Sequence, residues 1–215
     1  MKLKKKKVLS GGKLAGGNPK NERVENDFYA TNPKAVEMLL EAYPFKGYSI
    51  LEPCVGAGHI IQGIKNFLCD DDEAILDITA LDIVDRGYPN TIIQDFLKWN
   101  TKQKFDIIIT NPPFSLAKEF VEKGLELLDE EGQMAMFLKI QFLEGEKRRE
   151  LFQKFPPKYI YVFEKRMATW NRGQEFDIDE KTGKKKKWAT TMCHAWFVWE
   201  KGSTSEPVVR FLYEK

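Results

Sequence analysis

The chain has 215 residues, 42% hydrophobic and 13% aromatic, which suffices for one domain with a full core and excludes wholesale disorder. No apolar run approaches the roughly 20 residues of a membrane span, and Val8-Leu9 is too short for a signal-peptide core. Three cysteines without a C-x-x-C spacing and only two histidines fit neither a disulfide framework nor a metal site, and suggest a reducing cytoplasm.

The net charge of +2 conceals three regions. Residues 1–23 hold eight basic groups and one acid, residues 24–138 nine basic groups and twenty acids, and residues 139–201 fifteen basic groups and nine acids. This excludes a uniformly basic nucleic-acid coat but leaves room for a local footprint. Residues 1–24 are Lys-rich and then Gly-rich without apolar periodicity, and read as a flexible basic arm, most simply a salt-sensitive phosphate tether. Residues 25–215 form the folded domain.

Asn32 and Pro33 suit the cap and first turn of a helix whose apolar positions run from Ala35 to Tyr43. Tyr48–Glu52 reads as a strand, followed by a Gly-containing turn and a helix with Ile60, Ile61, Ile64, Phe67 and Leu68 on one face. The acidic run Asp70–Glu73 is a solvated linker. Ile75–Leu81 and Thr91–Ile93 are strands, and Phe105–Thr110 is apolar enough to be covered on both faces. A helix through Phe120, Leu125 and Leu128 stops near Gly132. Strand Met134–Ile140, a charged helix Glu144–Phe155, strand Lys158–Glu164 and a last strand His194–Glu200 follow. Trp196, Trp199 and the nearby Trp188 read as core, and His59 and His194 as structural. Residues 165–192 interrupt the pattern as an insertion. There Phe176-Asp-Ile-Asp and Lys187-Trp-Ala-Thr, joined by a Lys-Thr-Gly turn, suggest a hairpin with Lys184–Lys187 at its tip.

The alternation predicts an α/β fold, a mainly parallel seven-stranded sheet with helices on both faces. Ligands of such sheets lie beyond the carboxyl ends of the strands. At the first such end stands Glu52-Pro53-Cys-Val-Gly56-Ala-Gly58. Its glycines allow close approach, but Ile61 replaces the third glycine of the dinucleotide fingerprint, and a carboxylate there repels a pyrophosphate. It suits an ammonium-bearing ligand such as S-adenosylmethionine; a tight turn without ligand stays open. Asp82-Ile83 is placed to accept from ribose hydroxyls, and Asp95-Phe96 to hold an adenine ring.

Asn111-Pro112-Pro113-Phe114 follows the most apolar strand. Two prolines remove two backbone donors. The Asn111 and Pro112 carbonyls then form a rigid pair of acceptors for an exocyclic amine, with Phe114 as a stacking face. Positioning the amine against an electrophilic methyl needs neither metal nor strong base.

Together these motifs resemble the class I S-adenosylmethionine-dependent methyltransferases, specifically the N6-adenine DNA methyltransferases of Asn-Pro-Pro-aromatic type, in gamma-like order and at the size of small solitary phage enzymes. The resemblance covers about residues 25–165 plus Ala195–Glu200. It implies a Rossmann-like fold with an antiparallel last strand. It also implies that Tyr29 and Thr31 of Asp27-Phe-Tyr-Ala-Thr31 close over the cofactor, that Glu52 and the glycine backbone hold its amino acid, and that Asp82 and Asp95 hold ribose and adenine. Asn32 is an insertion relative to the usual Thr-Pro, and no large target-recognition domain is present in this sequence. The target base must be flipped or single-stranded. Arg166, Trp170, Asn171, Arg172 and Lys184, Lys185, Lys186 and Lys187 are the candidate nucleic-acid contacts. The expected setting is the cytoplasm of a prokaryote or phage-infected cell, as a monomer, without membrane or metal. An RNA methyltransferase (adenine N6 or guanine N2) and an inactive nucleic-acid-binding module remain alternatives. Protein-glutamine methyltransferases resemble the chain less, since a helical domain precedes their cofactor fold.

Overall fold

The computed structural model describes residues 29–68, 76–171, 173–179, 182–188 and 190–214. The basic arm, Asp27-Phe28, the acidic run and Arg172 lie outside the described residues. The elements are β1 (Tyr29–Ala30), α1 (Pro33–Ala42), β2 (Ser49–Glu52), α2 (His59–Phe67), β3 (Asp77–Asp82), β4 (Ile92–Ile93), β5 (Phe105–Thr110), α3 (Ala117–Leu127), β6 (Leu128–Lys139), α4 (Arg149–Lys154), β7 (Tyr159–Phe163), β8 (Trp170–Asn171), β9 (Phe176–Ile178), β10 (Lys185–Lys187), β11 (His194–Glu200) and β12 (Val208–Leu212).

Side-chain alternation along the strands builds two cores from one sheet. On one face α1 and α2 bring Val36, Leu39, Ile60 and Ile64 onto Ile50, Ile107, Ile109 and Phe137. On the other, α3 and α4 bring Phe120, Val121 and Leu151 onto Leu51, Ile108, Met134 and Met136. β5 is apolar at nearly every position because both its faces are covered. Asn32 caps α1, accepting from the Lys34 N–H at 3.0 Å, with Pro33 in the first turn as the sequence predicts.

The sheet order is β12-β7-β11-β6-β5-β2-β3-β4. β11 runs antiparallel to both β6 and β7; the other pairs are parallel. Where seven strands and a last strand at His194–Glu200 are expected, the described residues form eight, with β12 parallel to β7 on the edge. Gly132 does not stop a helix. α3 ends at Leu127, β6 begins at Leu128, and Gly132 lies where the β5–β6 register shifts, between the pairs Phe105–Leu128 and Ile107–Gln133. The expected helix Glu144–Phe155 shortens to a 3₁₀ turn (Glu146–Arg148) and α4, because Gly145 at φ 109° cannot be helical.

Trp196 and Trp199 are core residues, but on opposite faces of the sheet. Each buried indole N–H is satisfied, by the Ala35 carbonyl at 2.8 Å and the Phe155 carbonyl at 3.1 Å. Trp188 is outside the core: it is half-buried in the insertion and donates to the Gln174 carbonyl. The predicted hairpin exists as β9–β10, but its second strand is Lys185–Lys187 rather than a run starting at Lys187. The turn residue Asp179 accepts from the Thr182 N–H and hydroxyl. A second pairing ties the insertion to the start of the fold: Tyr29 faces Asn171 and Ala30 faces Trp170 across the antiparallel pair β1–β8.

Candidate active site

The carboxyl ends of β2, β3 and β5 open into one cleft, with β1 along its side. The structure brings together Tyr29 and Thr31, Pro53 and Gly56, Asp82 and Ile83, Asp95 and Phe96, and Asn111 and Pro113 in its lining. These residues come from five segments. The topology gathers them because parallel strands end on the same side.

Asp82 organises the first turn. Its Oδ2 accepts from the Gly56 N–H at 2.8 Å and its Oδ1 from the Val84 N–H at 3.0 Å. Arg86 Nε stands 3.9 Å from the same carboxylate. Asp95 caps the following 3₁₀ turn through the Leu97 N–H at 3.0 Å. Ile83 is 59% exposed, an apolar surface at the cleft edge.

Glu52 and Gly58 do not line the cleft. Glu52 is fully buried beneath it, and its Oε1 accepts from the Cys54 N–H at 2.9 Å. Its Oε2 and the nearby Thr110 hydroxyl have no close hydrogen-bond partner among the described residues, though the hydroxyl stands near enough to favour the carboxylate's charge. Burial pushes the Glu52 carboxyl up to about 8, an effect that Thr110 and the Cys54 N–H oppose and Asp82 adds to. Gly58 closes the turn at φ 86° with the Tyr88 ring packed on its α-carbon, where a Cβ would lie 2.3 Å from Tyr88 Cδ2.

At the end of β5, Asn111 donates through Nδ2 to the Tyr29 carbonyl at 2.8 Å. That commits the amide nitrogen and leaves Oδ1 as acceptor. Pro112 is buried and Pro113 accepts from the Leu116 N–H at 2.9 Å. Phe114 stands outside the cleft lining, half-buried, with His194 at 5.8 Å between ring centroids.

Of the candidate nucleic-acid contacts, Arg166 and Lys184 to Lys187 are exposed. The four lysines are not at the hairpin tip: Lys185 to Lys187 are strand β10 and Lys184 ends the turn before it. Trp170 and Asn171 are half-buried in β8, and the Asn171 Oδ1 is buried and unpartnered rather than presented outward.

Several lining residues escape the sequence reading, among them Ala30, Cys54, His59, Arg86, Leu116 and Phe120. Cys54 sits inside the glycine turn, where proximity was a usable signal. Arg86 reaches the cleft through a bend after β3, for which the sequence holds no local mark. His59 does more than fill space. Its Nε2 lies 3.0 Å from the Gly173 carbonyl, its ring meets Trp170 edge-on at 5.5 Å, and burial lowers its pKa.

No protein-family profile matches the chain. Among curated proteins it is 33% identical over 101 residues to the type II methyltransferase M.CvrRI of Paramecium bursaria Chlorella virus XZ-6E, covering 44% of this chain and 26% of that one. It is 30% identical over 109 residues to the release factor glutamine methyltransferase of Streptococcus pneumoniae, covering 47% and 39%. The matches thus span well under half the length of these relatives. Among solved structures, a Streptococcus thermophilus type I restriction-modification methyltransferase subunit superposes with TM-score 0.62 at 15% identity, covering 86% of this chain and 47% of that one. A Listeria monocytogenes protein assigned to the class I S-adenosylmethionine-dependent methyltransferases gives 0.57 at 15%, covering 90% and 67%. An RNA-methyltransferase candidate from Pyrococcus horikoshii gives 0.54 at 16%, covering 85% and 90%. The chain thus has the fold seen in class I S-adenosylmethionine-dependent methyltransferases, and the curated proteins it matches in sequence are methyltransferases.

Proposed function

We propose that the protein methylates the N6 amino group of adenine in DNA, acting on a base flipped out of the helix. The observation that carries this reading is the Asn111 anchor. The bond from Nδ2 to the Tyr29 carbonyl turns the side-chain oxygen into a fixed acceptor beside two prolines and an aromatic ring. A planar exocyclic amine has two N–H groups to give to such acceptors, and a π-face for Phe114.

S-adenosylmethionine, the cofactor of this fold class, supplies an electrophilic methyl carbon on a sulfonium. The residues present fit it. Thr31 Oγ1, in the cleft wall, is a buried polar atom with no hydrogen-bond partner among the described residues. Two acidic side chains, Asp82 and Asp95, line a cleft that also offers the apolar Ile83 and Phe96. In this reading Asp82 holds hydroxyls, Asp95 and Phe96 an adenine ring, and Tyr29 and Thr31 the amino-acid end. Glu52 acts from below, through the turn it braces.

The chain's own work is then positioning. Asn111 and the Pro112 carbonyl accept from the target amine and draw its lone pair toward the methyl carbon. With the cofactor bound, its sulfonium would supply the methyl carbon and leave as the neutral thioether, while these acceptors hold the attacking nitrogen in place and its surplus proton passes to solvent. Held geometry of this kind replaces acid–base catalysis. The basic stretch from residue 139 to 201, with exposed Arg166 and Lys184 to Lys187, supports a nucleic-acid partner over a protein glutamine. On this reading the insertion 165–192 contributes target recognition.

The test is transfer of labelled methyl groups to duplex DNA, single-stranded DNA, RNA and a release-factor protein, followed by digestion and identification of the product. Label in N6-methyl-2′-deoxyadenosine from DNA is expected. Label confined to RNA or to glutamine overturns the substrate assignment.

A further inference from the structure

No described residue of the insertion 165–192 is buried, so the segment has no core of its own. A segment that buries little is steadied by its ties to the rest of the fold. Near its start the Met167 carbonyl faces His194 Nδ1 at 3.1 Å. Further on, Trp170 and Asn171 pair with Ala30 and Tyr29, and the Gly173 carbonyl meets His59 Nε2 at 3.0 Å. A carbonyl can only accept, so Nε2 carries the proton and donates. The Trp170 ring meets the same imidazole edge-on.

The later ties share one origin. Tyr29, Ala30 and His59 all line the cleft at the ends of β2, β3 and β5. His59 is also the first residue of α2, directly after a turn whose Pro53, Cys54, Val55 and Gly56 line that cleft. No described residue of the insertion lines it. A ligand in the cleft therefore meets the wall that holds the insertion, and not the insertion itself.

We propose that an occupied cleft steadies the insertion, and that His59 is the positioning residue for this link. Ligand contact fixes β1 and the start of α2, and the His59 N–H carries that constraint to Gly173. Linkage makes the effect reciprocal: a nucleic acid gripped by the insertion tightens the cleft's hold on its ligand by the same factor. The nucleic-acid half rests on the function proposed above; the link from cleft to insertion does not.

Hydrogen exchange of the full chain, with and without saturating S-adenosylhomocysteine, reads the link without any nucleic acid. The reporters are the Gly173 and Gln174 amides, bonded to the Trp170 and Asn171 carbonyls at 3.3 and 3.2 Å. In the parent, S-adenosylhomocysteine is expected to slow their exchange about tenfold, within the usual range of coupling between sites. His59→Phe keeps a ring beside Trp170 and removes the donor, so the slowing should fall to about twofold or less. His59→Gln offers an amide N–H to the same carbonyl and should restore most of it. Affinity for plasmid DNA should likewise rise about tenfold with S-adenosylhomocysteine in the parent, and about twofold or less in His59→Phe. Parent amides that exchange equally with and without S-adenosylhomocysteine overturn the proposal, and that arm needs no variant to fold. So does full slowing in His59→Phe, or a loss that His59→Gln fails to restore. Slowed exchange with DNA affinity unmoved overturns the nucleic-acid half. A parent that labels no nucleic acid overturns the functional reading itself, and the exchange result still decides the link.

Discussion

Asn111 and Tyr29 come from distant parts of the chain and meet through one bond, Nδ2 to the main-chain carbonyl at 2.8 Å. Tyr29 also lines the cleft, so the same bond joins one wall of the cleft to the proposed amine acceptor. Asn111→Asp replaces the donor with a carboxylate oxygen facing that carbonyl. Methyl transfer is expected to fall by about 100-fold or more, in the range of losing one oriented polar group in a transition state. S-adenosylhomocysteine affinity should change far less. Single-turnover transfer and calorimetric titration separate the two.

Glu52 gives a pH signature. Its folded pKa, about 8, lies above its ordinary value of 4.5 because burial disfavours the charge. Between those values the unfolded chain releases the proton and the folded chain keeps it. Glu52 therefore favours folding fully below the lower value, and this contribution is lost as pH rises through the upper one. Melting of the ligand-free protein between pH 5 and 8 should show this decline, and Glu52→Gln should flatten it. An identical slope in both proteins refutes the assignment.

Gly58→Ala places a Cβ 2.3 Å from Tyr88 Cδ2 on a backbone at φ 86°. Left-handed backbone costs a non-glycine residue about 1–2 kcal/mol, and the clash adds to it. A total loss of about 2–3 kcal/mol is expected in urea unfolding. Adding Tyr88→Ala should recover the clash but not the backbone cost.

Lys185, Lys186 and Lys187 form an exposed edge on β10. Replacing all three with Ala should leave stability within roughly 0.5 kcal/mol per site, as for surface positions. If the hairpin follows nucleic-acid phosphates, the log–log salt slope of binding should shrink by about 2–3. Equilibrium binding at several salt concentrations, with thermal melting as control, measures both.

Much of the sheet is legible because a buried parallel strand advertises itself. Phe105–Thr110 and Ile50-Leu51 need apolar side chains on both faces. β12 escapes notice for the opposite reason. An edge strand carries exposed Val208, Val209 and Phe211 around an arginine, so it shows neither a continuous run nor alternation. Gly132 misleads because the same residue that ends helices also opens irregular sheet registers. At the site, the strand-end motifs locate the cleft, but they cannot say whether a carboxylate faces it or lies beneath. Glu52 lies beneath because β2 turns its last side chain inward. Likewise Trp170 and Asn171 look like free recognition groups until strand pairing with Tyr29 and Ala30 is known.

The β1–β8 pairing has a bearing on the order of turnover. Tyr29 and Ala30 line the cleft while their partners Asn171 and Trp170 belong to the insertion. His59, at the first turn of α2, bolts the same insertion down at the Gly173 carbonyl. If spent cofactor leaves through that side while the insertion holds a nucleic acid, the clasp must part first, and DNA with several sites is then expected to gain one methyl per encounter.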